Sequence, residues 1–145
     1  MDCTDSLSTK YLLNDTAILL DKPLIYGSLY KFDGYVATFN LKTPEGNSAN
    51  LRDFFPEPPT NQIPNCAEVG TLNPIVGLIG LLQANEVIKV LCAMGQPLIN
   101  QLLVYNSLNN QQLKIKGEAK TDRKTIETLW NENQYVDFRC EAQLK

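Results

Sequence analysis

Two side chains in this sequence stand out for the chemistry they could perform, the thiol of Cys66 and the carboxylate of Asp5. Cys66 is predicted to lie in a loop, where a cysteine is more often an inert thiol than a nucleophile because reactivity requires a lowered pKa. Glu68 would disfavour the thiolate, while the positive end of a helix near Asn73 would favour it. Asp5 precedes a helical pattern, where an aspartate most often caps the helix. The chain contains no histidine, so a general base would have to be a carboxylate, a lysine, water or a partner's residue.

The other cysteines suggest neither a metal site nor a disulfide framework. Cys3, Cys92 and Cys140 are far apart in the sequence, and no CxxC pair occurs. We therefore interpret these three as structural residues with reduced thiols. The polar, acidic N-terminus does not resemble a signal peptide, and together with reduced thiols it predicts a cytoplasmic protein.

Composition and charge are typical of a globular domain. Hydrophobic residues make up 43% of the 145 residues and charged residues 20%, which is enough for the core of one domain. The formal net charge is −3, and the lysines and arginines are scattered along the chain. Because phosphate binding needs a basic face, we expect no nucleic-acid partner.

A long helix is predicted from Asn73 to Met94, with Asn73 as its N-cap, Pro74 in its first turn and Gly95 ending it. Its first half is apolar on all sides, so we expect a buried helix. The uncharged run 74–84 is shorter than the roughly 20 residues that span a bilayer, which predicts no membrane partner. The face nearest water is expected to be the polar one, which consists of Gln83, Asn85, Glu86 and Lys89.

The remaining predicted elements are shorter, and turn residues separate them: a helix over 7–20, strands over 24–30, 34–41, 98–107 and 111–117, and a helix over 123–130. The strands are expected to pair as two antiparallel hairpins. The first hairpin would turn at Lys31-Phe32-Asp33-Gly34, where Asp-Gly favours a turn, and the second around 108–110. Asp5 or Ser6 would cap the first helix.

Between the first hairpin and the long helix, residues 43–65 read as one long loop. They contain five prolines, which oppose a long helix or a central strand. Loops of this length are usually functional or mobile, and this one ends at Cys66. Phe54 and Phe55 are expected to fix it to the core.

Six short motifs occur in a fixed order between Met1 and about Lys116. They are Asp2-Cys3-Thr4-Asp5-Ser6, Leu13-Asn14-Asp15, Pro23-Leu24-Ile25-Tyr26-Gly27-Ser28, Phe55-Pro56-Glu57, Pro64-Asn65-Cys66-Ala67-Glu68 and Gly80-Leu81-Leu82-Gln83-Ala84-Asn85-Glu86-Val87-Ile88-Lys89. In this order and spacing they resemble the ThiF/MoeB/HesA family of ubiquitin-activating-type adenylyltransferases. The ordered set is more specific than any one motif.

The resemblance implies an α/β fold, namely the C-terminal half of a Rossmann-like ubiquitin-activating-type domain, with a mixed sheet, hairpins and a long buried helix. We expect this half-domain over 1–117 and a tail or linker over 118–145. The implied activity is ATP-dependent adenylation of the C-terminal glycine of a ubiquitin-fold sulfur-carrier protein. In the family, this step prepares sulfur transfer in thiamine or molybdopterin synthesis.

The resemblance also implies roles for individual residues. Asp5 matches an aspartate that helps to hold magnesium on ATP, and a hard cation favours a carboxylate. Lys10 and Asn14 fall at positions expected to contact the cofactor. Cys66 matches a cysteine that in some members receives the carrier in a thioester or mixed sulfur linkage. Arg52 could contact an acidic carrier surface, although a solvated loop arginine is the commoner interpretation.

The sequence also departs from the family pattern. Its eight glycines form no GxGxxG, so the backbone cradle for phosphates is not encoded in it. The asparagine and arginine that follow the DxTD motif in the family are Ser6 and Lys10 here. Asn50 and Asp53 occupy the place of a CxxC found in zinc-binding relatives, so we expect no zinc.

Two functions are consistent with these residues. The first is part of a sulfur-carrier adenylyltransferase that acts through Asp5 and Cys66, needs a missing nucleotide-binding half and is inactive as this chain alone. The alternative is a non-catalytic truncated relative that only binds a carrier or partner through residues 43–65. Because half a Rossmann sheet leaves an open edge, we expect a homodimer or pairing with a complementary nucleotide-binding half.

Overall fold

The structure is a computed structural model that describes residues 1–58, 70–132 and 135. The predicted α/β class is confirmed. In chain order the elements are α1 (Leu7–Leu19), β1 (Leu24–Tyr30), β2 (Asp33–Phe39), β3 (Lys42–Thr43), β4 (Gly46–Asn47), α2 (Leu51–Phe54), α3 (Asn73–Leu91), β5 (Gln101–Asn106), β6 (Gln111–Lys116) and α4 (Arg123–Asn131).

The central sheet has the strand order β1-β2-β5-β6, and both predicted hairpins are present in it. Each neighbouring pair of strands is antiparallel, and a parallel bridge joins Thr38 to Ile99. The first turn differs from the prediction, because Tyr30 pairs with Asp33 and Lys31 takes the positive φ of 54°. Asp33 and Gly34 therefore begin β2. Gly34 has a packing role, since a Cβ there would lie 2.3 Å from Ile79 Cδ1 of α3.

Side chains that alternate along the strands build one core on each face of the sheet. The core on the α1 side contains Tyr11, Ala17, Leu24, Tyr26, Ala37, Phe39, Leu51 and Leu102. The core on the α3 side contains Val36, Ile75, Ile79, Leu98 and Leu103. Helix α4 packs against α1 and buries Ile126 completely. The boundary predicted at residue 117 stays a prediction.

Helix α1 begins as predicted, since the Ser6 side chain caps it by accepting from Thr9 N at 3.3 Å. It ends at Leu19, and Asp21 follows with a φ of 53°. Asn40 completes this end by donating from Nδ2 to the carbonyls of Ala17 and Lys22 at 3.0 and 2.8 Å. The first hairpin is thereby fixed to the end of the helix.

Residues 42–54 are more regular than the predicted loop, because β3, β4 and α2 lie within them. Asn50 and Asp53 form a capping box at the start of α2, and such local bonds let a short helix form in a proline-rich segment. Phe54 packs on the α1-side core with its ring 5.7 Å from that of Phe39, as predicted. Phe55 is exposed, contrary to the prediction.

Helix α3 differs from its prediction at both ends. Its N-cap is Leu72, one residue before Asn73, and no side chain caps it, although Pro74 lies in its first turn as predicted. It ends at Leu91 and not at Met94, because Ala93 has a φ of 50° and Met94 N returns to the carbonyl of Lys89. Gly95 also has a positive φ, of 66°.

The prediction that Gln83 and Glu86 lie on the water-facing side of α3 was wrong, whereas Asn85 is exposed as predicted. Gln83 and Glu86 are 4% and 3% exposed, whereas Leu81 and Leu91 are 72% and 79% exposed. Gln83 Nε2 donates to the Asp2 carbonyl at 2.6 Å, and Glu86 Oε2 accepts from Thr38 Oγ1 and Leu98 N at 2.7 Å each. Polar side chains face inward because main-chain and hydroxyl groups under the helix need partners.

By length and composition α3 would qualify as a membrane-crossing helix. This is weak evidence, since core helices of other proteins qualify as well. Only 22% of the apolar stretch of α3 is buried. The prediction that protein encloses this helix on most sides was therefore wrong. One face of α3 packs on the sheet, and the opposite face is apolar and exposed.

Candidate functional site

The segment before α1, residues Asp2–Asp5, contains two aspartates in opposite environments, and we refer to it as the Asp5 loop. Asp2 is buried, and its Oδ1 accepts from Thr4 N at 2.9 Å and from Thr4 Oγ1 at 2.8 Å. Asp5 is exposed and makes no hydrogen bond or ion pair within the described part of the chain. Asp2 therefore shapes the loop, while the Asp5 carboxylate is available to a ligand.

Lys10 lies in the first turn of α1, directly after the Asp5 loop, and its side chain points into the protein. Its Nζ donates to Asp2 Oδ2 at 2.9 Å and to the Gly27 carbonyl at 2.7 Å, and it lies 5.2 Å from the ring centroid of Tyr26. A buried ammonium held by a carboxylate and a carbonyl has its charge compensated inside the fold. Lys10 thus connects the Asp5 loop to β1.

Asn14 lies one turn further along α1 and is also buried. Its Oδ1 accepts from Leu51 N at 2.9 Å, and its Nδ2 donates to Asp15 Oδ1 at 3.0 Å. The amide therefore satisfies the first turn of α2 and fixes that short helix to α1.

ATP and Mg²⁺ are the cofactors that the resemblance implies, and the side-chain environments of Asp5, Lys10 and Asn14 decide which of these residues fit them. Asp5 fits a magnesium contact, because Mg²⁺ usually takes one or two carboxylates in addition to substrate phosphates. Lys10 and Asn14 do not fit nucleotide ligands, because their polar atoms are already bonded within the fold. Their assignment to cofactor binding stays a prediction that this geometry does not support. Asp5 therefore fits a cation contact, while Lys10 and Asn14 do not form a nucleotide cradle.

A buried ion pair lies beside Asn14 and was not predicted. Arg52 Nη2 and Nε contact Asp15 Oδ2 and Oδ1 at 2.7 and 2.9 Å, and Tyr135 Oη donates to Asp15 Oδ2 at 2.5 Å. The interpretation of Arg52 as a solvated loop residue was wrong, since it is 6% exposed. Burial opposes its charge, but the hydrogen bonds and attraction of Asp15 outweigh burial and raise the pKa of Arg52. Arg52 therefore stays charged, and its ion pair with Asp15 joins α2 to α1.

The phenols on this side of the sheet are also held in dry surroundings. Burial raises the pKa of Tyr11 and of Tyr26 to about 12. Tyr11 Oη donates to the carbonyls of Phe55 and Glu57 at 2.9 and 3.0 Å. Helix α1 thus fixes the start of the segment that leads toward Cys66, whereas Cys66 itself lies outside the described residues.

Asn50 and Asp53, which stand where zinc-binding relatives have a CxxC, form hydrogen bonds that hold neighbouring segments together. Asp53 Oδ2 accepts from Asn50 N at 2.8 Å, and its Oδ1 accepts from the amides of Lys120 and Thr121 at 3.0 and 2.7 Å. Asp53 therefore links α2 to the segment before α4. Within 1–58, 70–132 and 135, no group of three or more His, Cys, Asp or Glu side chains could hold a metal ion.

Cys3 and Cys92 are exposed thiols, so neither packs in a core as a structural cysteine would. Cys140 lies outside the described residues. The sequence reasoning missed Asp2, Asp15 and Gln83 as fixed polar groups. A signal existed on α1, where Lys10 with Asn14 and Tyr11 with Asp15 are spaced at i and i+4 and so share helix faces.

Comparison with known proteins adds evidence that the geometry alone does not give. The model of the ThiF family matches residues 1–126. A sulfur carrier protein adenylyltransferase of Thermus thermophilus is 37% identical over 139 residues, which cover 88% of this chain and 51% of that protein. The probable adenylyltransferase/sulfurtransferase MoeZ of Mycobacterium tuberculosis is 40% identical over 128 residues, which cover 86% of this chain and 33% of MoeZ.

A solved structure shows the same fold at low sequence identity. The crystal structure of E. coli MccB with MccA-N7isoASN matches with a TM-score of 0.61 and 14% identity, covering 83% of this chain and 36% of that chain. The chain spans about half, or less, of the length of the curated relatives described above.

Proposed function

The chain belongs to the ThiF family, and on that premise we propose that it forms the part of a sulfur-carrier adenylyltransferase that presents Asp5 to a magnesium ion. The observation that carries the proposal is the contrast within the Asp5 loop. Asp2 holds the loop through bonds on both carboxylate oxygens, while Asp5 is exposed and unbonded within the described residues. A fixed loop with one available carboxylate is suited to a hard cation.

The substrate we propose is a ubiquitin-fold sulfur-carrier protein. The name of the Thermus thermophilus relative supports it, since that protein is a sulfur carrier protein adenylyltransferase. When bound, ATP would supply the adenylyl group and Mg²⁺ would neutralise phosphate charge. The Cys66 thiolate would attack the adenylated C-terminal carbonyl of the carrier and release AMP, which gives a thioester. The resemblance implies this role, and Cys66 itself lies outside the described residues.

The nucleotide contacts that Lys10 and Asn14 cannot supply would come from residues outside these 145, in the same polypeptide or in another. The position of β1 at one edge of the sheet supports this proposal. Asp2 N donates to the Ile25 carbonyl at 2.8 Å, so the start of the chain runs along β1 at the edge of the sheet. A nucleotide-binding half would extend the sheet from this edge. A homodimer and a cytoplasmic location stay predictions.

ATP–pyrophosphate exchange tests the proposal. The 145-residue chain would be mixed or fused with the nucleotide-binding half of the Thermus thermophilus relative and supplied with that organism's sulfur carrier. We expect carrier-dependent exchange that falls at least about tenfold in Asp5→Asn, because a metal contact stabilises transferring phosphate charge. Lys120→Ala, an exposed substitution, is the matched control. Exchange that is equal in Asp5→Asn and in the unsubstituted chain would contradict the role of Asp5.

The Cys66→Ser variant separates activation of the carrier from its transfer to the cysteine in the same assay. If Cys66 receives the carrier after its activation, exchange continues in the variant while the covalent carrier adduct disappears. The adduct would be detected by mass spectrometry under non-reducing conditions. An adduct that persists in Cys66→Ser would exclude this cysteine as the acceptor.

One observation favours the second candidate, a non-catalytic protein that only binds a carrier or partner. Lys10 and Asn14 are committed to packing, so two of the three expected cofactor contacts are used by the fold itself. This candidate predicts no exchange with any added half and carrier binding that is unchanged in Asp5→Ala and Cys66→Ala. Isothermal titration calorimetry with the carrier measures that binding.

A further inference from the structure

We propose that Gln83 of α3 and Lys10 of α1 are positioning residues that fix the Asp5 loop from two directions. The inference rests on the proposed function for what the loop presents, namely the Asp5 carboxylate. It assigns a role to Gln83, which the sequence pattern predicted to face water, and for Lys10 it replaces contact with a cofactor by positioning of the loop.

Asp2 is the residue through which both side chains act. Its N–H donates to the Ile25 carbonyl at 2.8 Å, and its own carbonyl accepts from Gln83 Nε2 at 2.6 Å. One carboxylate oxygen accepts from Lys10 and the other from Thr4. Each polar group of Asp2 is therefore bonded, and the bonds lead to β1, to both helices and to the turn before Asp5.

The contact from α3 is close because β1 has a glycine beneath it. A Cβ on Gly27 would lie 2.2 Å from Gln83 Cδ and 2.3 Å from Gln83 Nε2. The amide therefore lies directly on the Gly27 backbone, and the carbonyl of the same glycine accepts from Lys10 at 2.7 Å. Gly27 serves both positioning residues, one through its missing side chain and the other through its main chain.

The burial of these groups makes their bonds specific. Gln83, Lys10 and Asp2 are 4%, 3% and 1% exposed, so water cannot easily replace a lost partner. Loss of either donor leaves an Asp2 acceptor buried without its bond. The Thr4 amide, which bonds to Asp2 Oδ1, is then expected to open more often, and with it the loop that holds Asp5.

Amide hydrogen exchange of the full 145-residue chain, measured by NMR, tests the inference. In Gln83→Ala and in Lys10→Met we expect the Thr4 amide to exchange roughly tenfold faster or more, while Val36 in the middle of β2 changes far less. Asn85→Ala, an exposed position on α3, is the matched control and should leave Thr4 unchanged. Lys10→Arg, which keeps the charge and several donors, should restore slow exchange.

Three results would overturn the inference. They are Thr4 exchange that is unchanged in both variants, an equal acceleration of Thr4 and Val36 that shows global opening, or failure of Lys10→Arg to restore protection. The role of Asp5 is measured separately, with Mn²⁺ as the probe. We expect Mn²⁺ to broaden the resonances of the Asp5 loop in the unsubstituted chain and not in Asp5→Asn. Absence of broadening would count against the proposed function and leave the exchange result to decide the positioning roles.

Discussion

The two faces of the central sheet are built in opposite ways. On the α1 side, charged groups are buried in pairs, Asp15 with Arg52 and Asp2 with Lys10, and α2 and α4 complete the layer around α1. On the α3 side, the inward face contains Gln83 and Glu86, and the outward face contains exposed leucine and isoleucine side chains. The α1 side is a completed core, whereas the α3 side has an apolar surface that the described residues do not cover.

The difference shows that the buried polar residues on these helices bond to other elements of the fold, whereas Asn85 on α3 faces water. On both faces, buried side chains satisfy backbone groups of strands, caps and turns. An apolar helix surface without cover in a folded chain usually marks a contact with protein or membrane. The α3 side should therefore tolerate surface changes that the α1 side cannot.

The largest loss of stability is expected on the α1 side from Arg52→Ala. Removing one partner of a buried pair leaves Asp15 uncompensated, which costs about 3 to 5 kcal/mol. Urea denaturation followed by circular dichroism measures the change. Lys120→Ala is the control, since its pair with Glu118 is exposed and should contribute less than about 1 kcal/mol. A loss below about 1 kcal/mol in Arg52→Ala would remove the distinction between the two faces.

On the α3 side, Glu86→Ala is expected to destabilise the chain less, by about 1.5 to 3 kcal/mol. The substitution leaves Thr38 Oγ1 and Leu98 N without their buried acceptor and removes the ion pair with Lys89. The same denaturation measurement applies, with exposed Asn85→Ala as the matched control. Equal stability of the two variants would show that the hydrogen bonds of Glu86 to Thr38 and Leu98 do not stabilise the fold.

A double-mutant cycle between Gly27 and Gln83 tests how closely α3 lies on β1. Gly27→Ala alone is expected to cost about 1 to 2 kcal/mol, because its Cβ displaces Gln83 from Asp2. In the double variant with Gln83→Ala the clash is absent, so the losses should fall short of additivity by about 1 kcal/mol. Additive losses would place the two residues further apart than the structure has them.

The smallest effect on stability is expected at the outward face of α3. Leu81→Lys and Leu91→Lys should each change the free energy of unfolding by no more than about 0.5 kcal/mol, because both side chains are exposed. The chain should also become more soluble, which sedimentation velocity at rising protein concentration would record. A loss of more than about 2 kcal/mol would mean that this face is covered within the chain itself.

Much of the fold could be predicted from the sequence because its signals are local. The hairpins follow from alternating strands with turn residues between them, and the start of α1 follows from a serine that can cap it. The short elements β3, β4 and α2, within residues 42–54, could not be predicted in this way. These elements are held in place by hydrogen bonds to Asn14, Asn100 and the 120–121 segment, which are distant from them in the sequence.

The sequence by itself determined the family, the α/β class and the order of the longer helices and strands, since motif order and periodicity are properties of the chain alone. Only the tertiary structure decided which of two nearby aspartates is available and which face of α3 is buried. Burial of a polar group depends on whether a distant backbone group needs a partner, and no local pattern records that need. For this reason Asp2, Lys10 and Gln83 become structural groups, and Asp5 is left facing solvent.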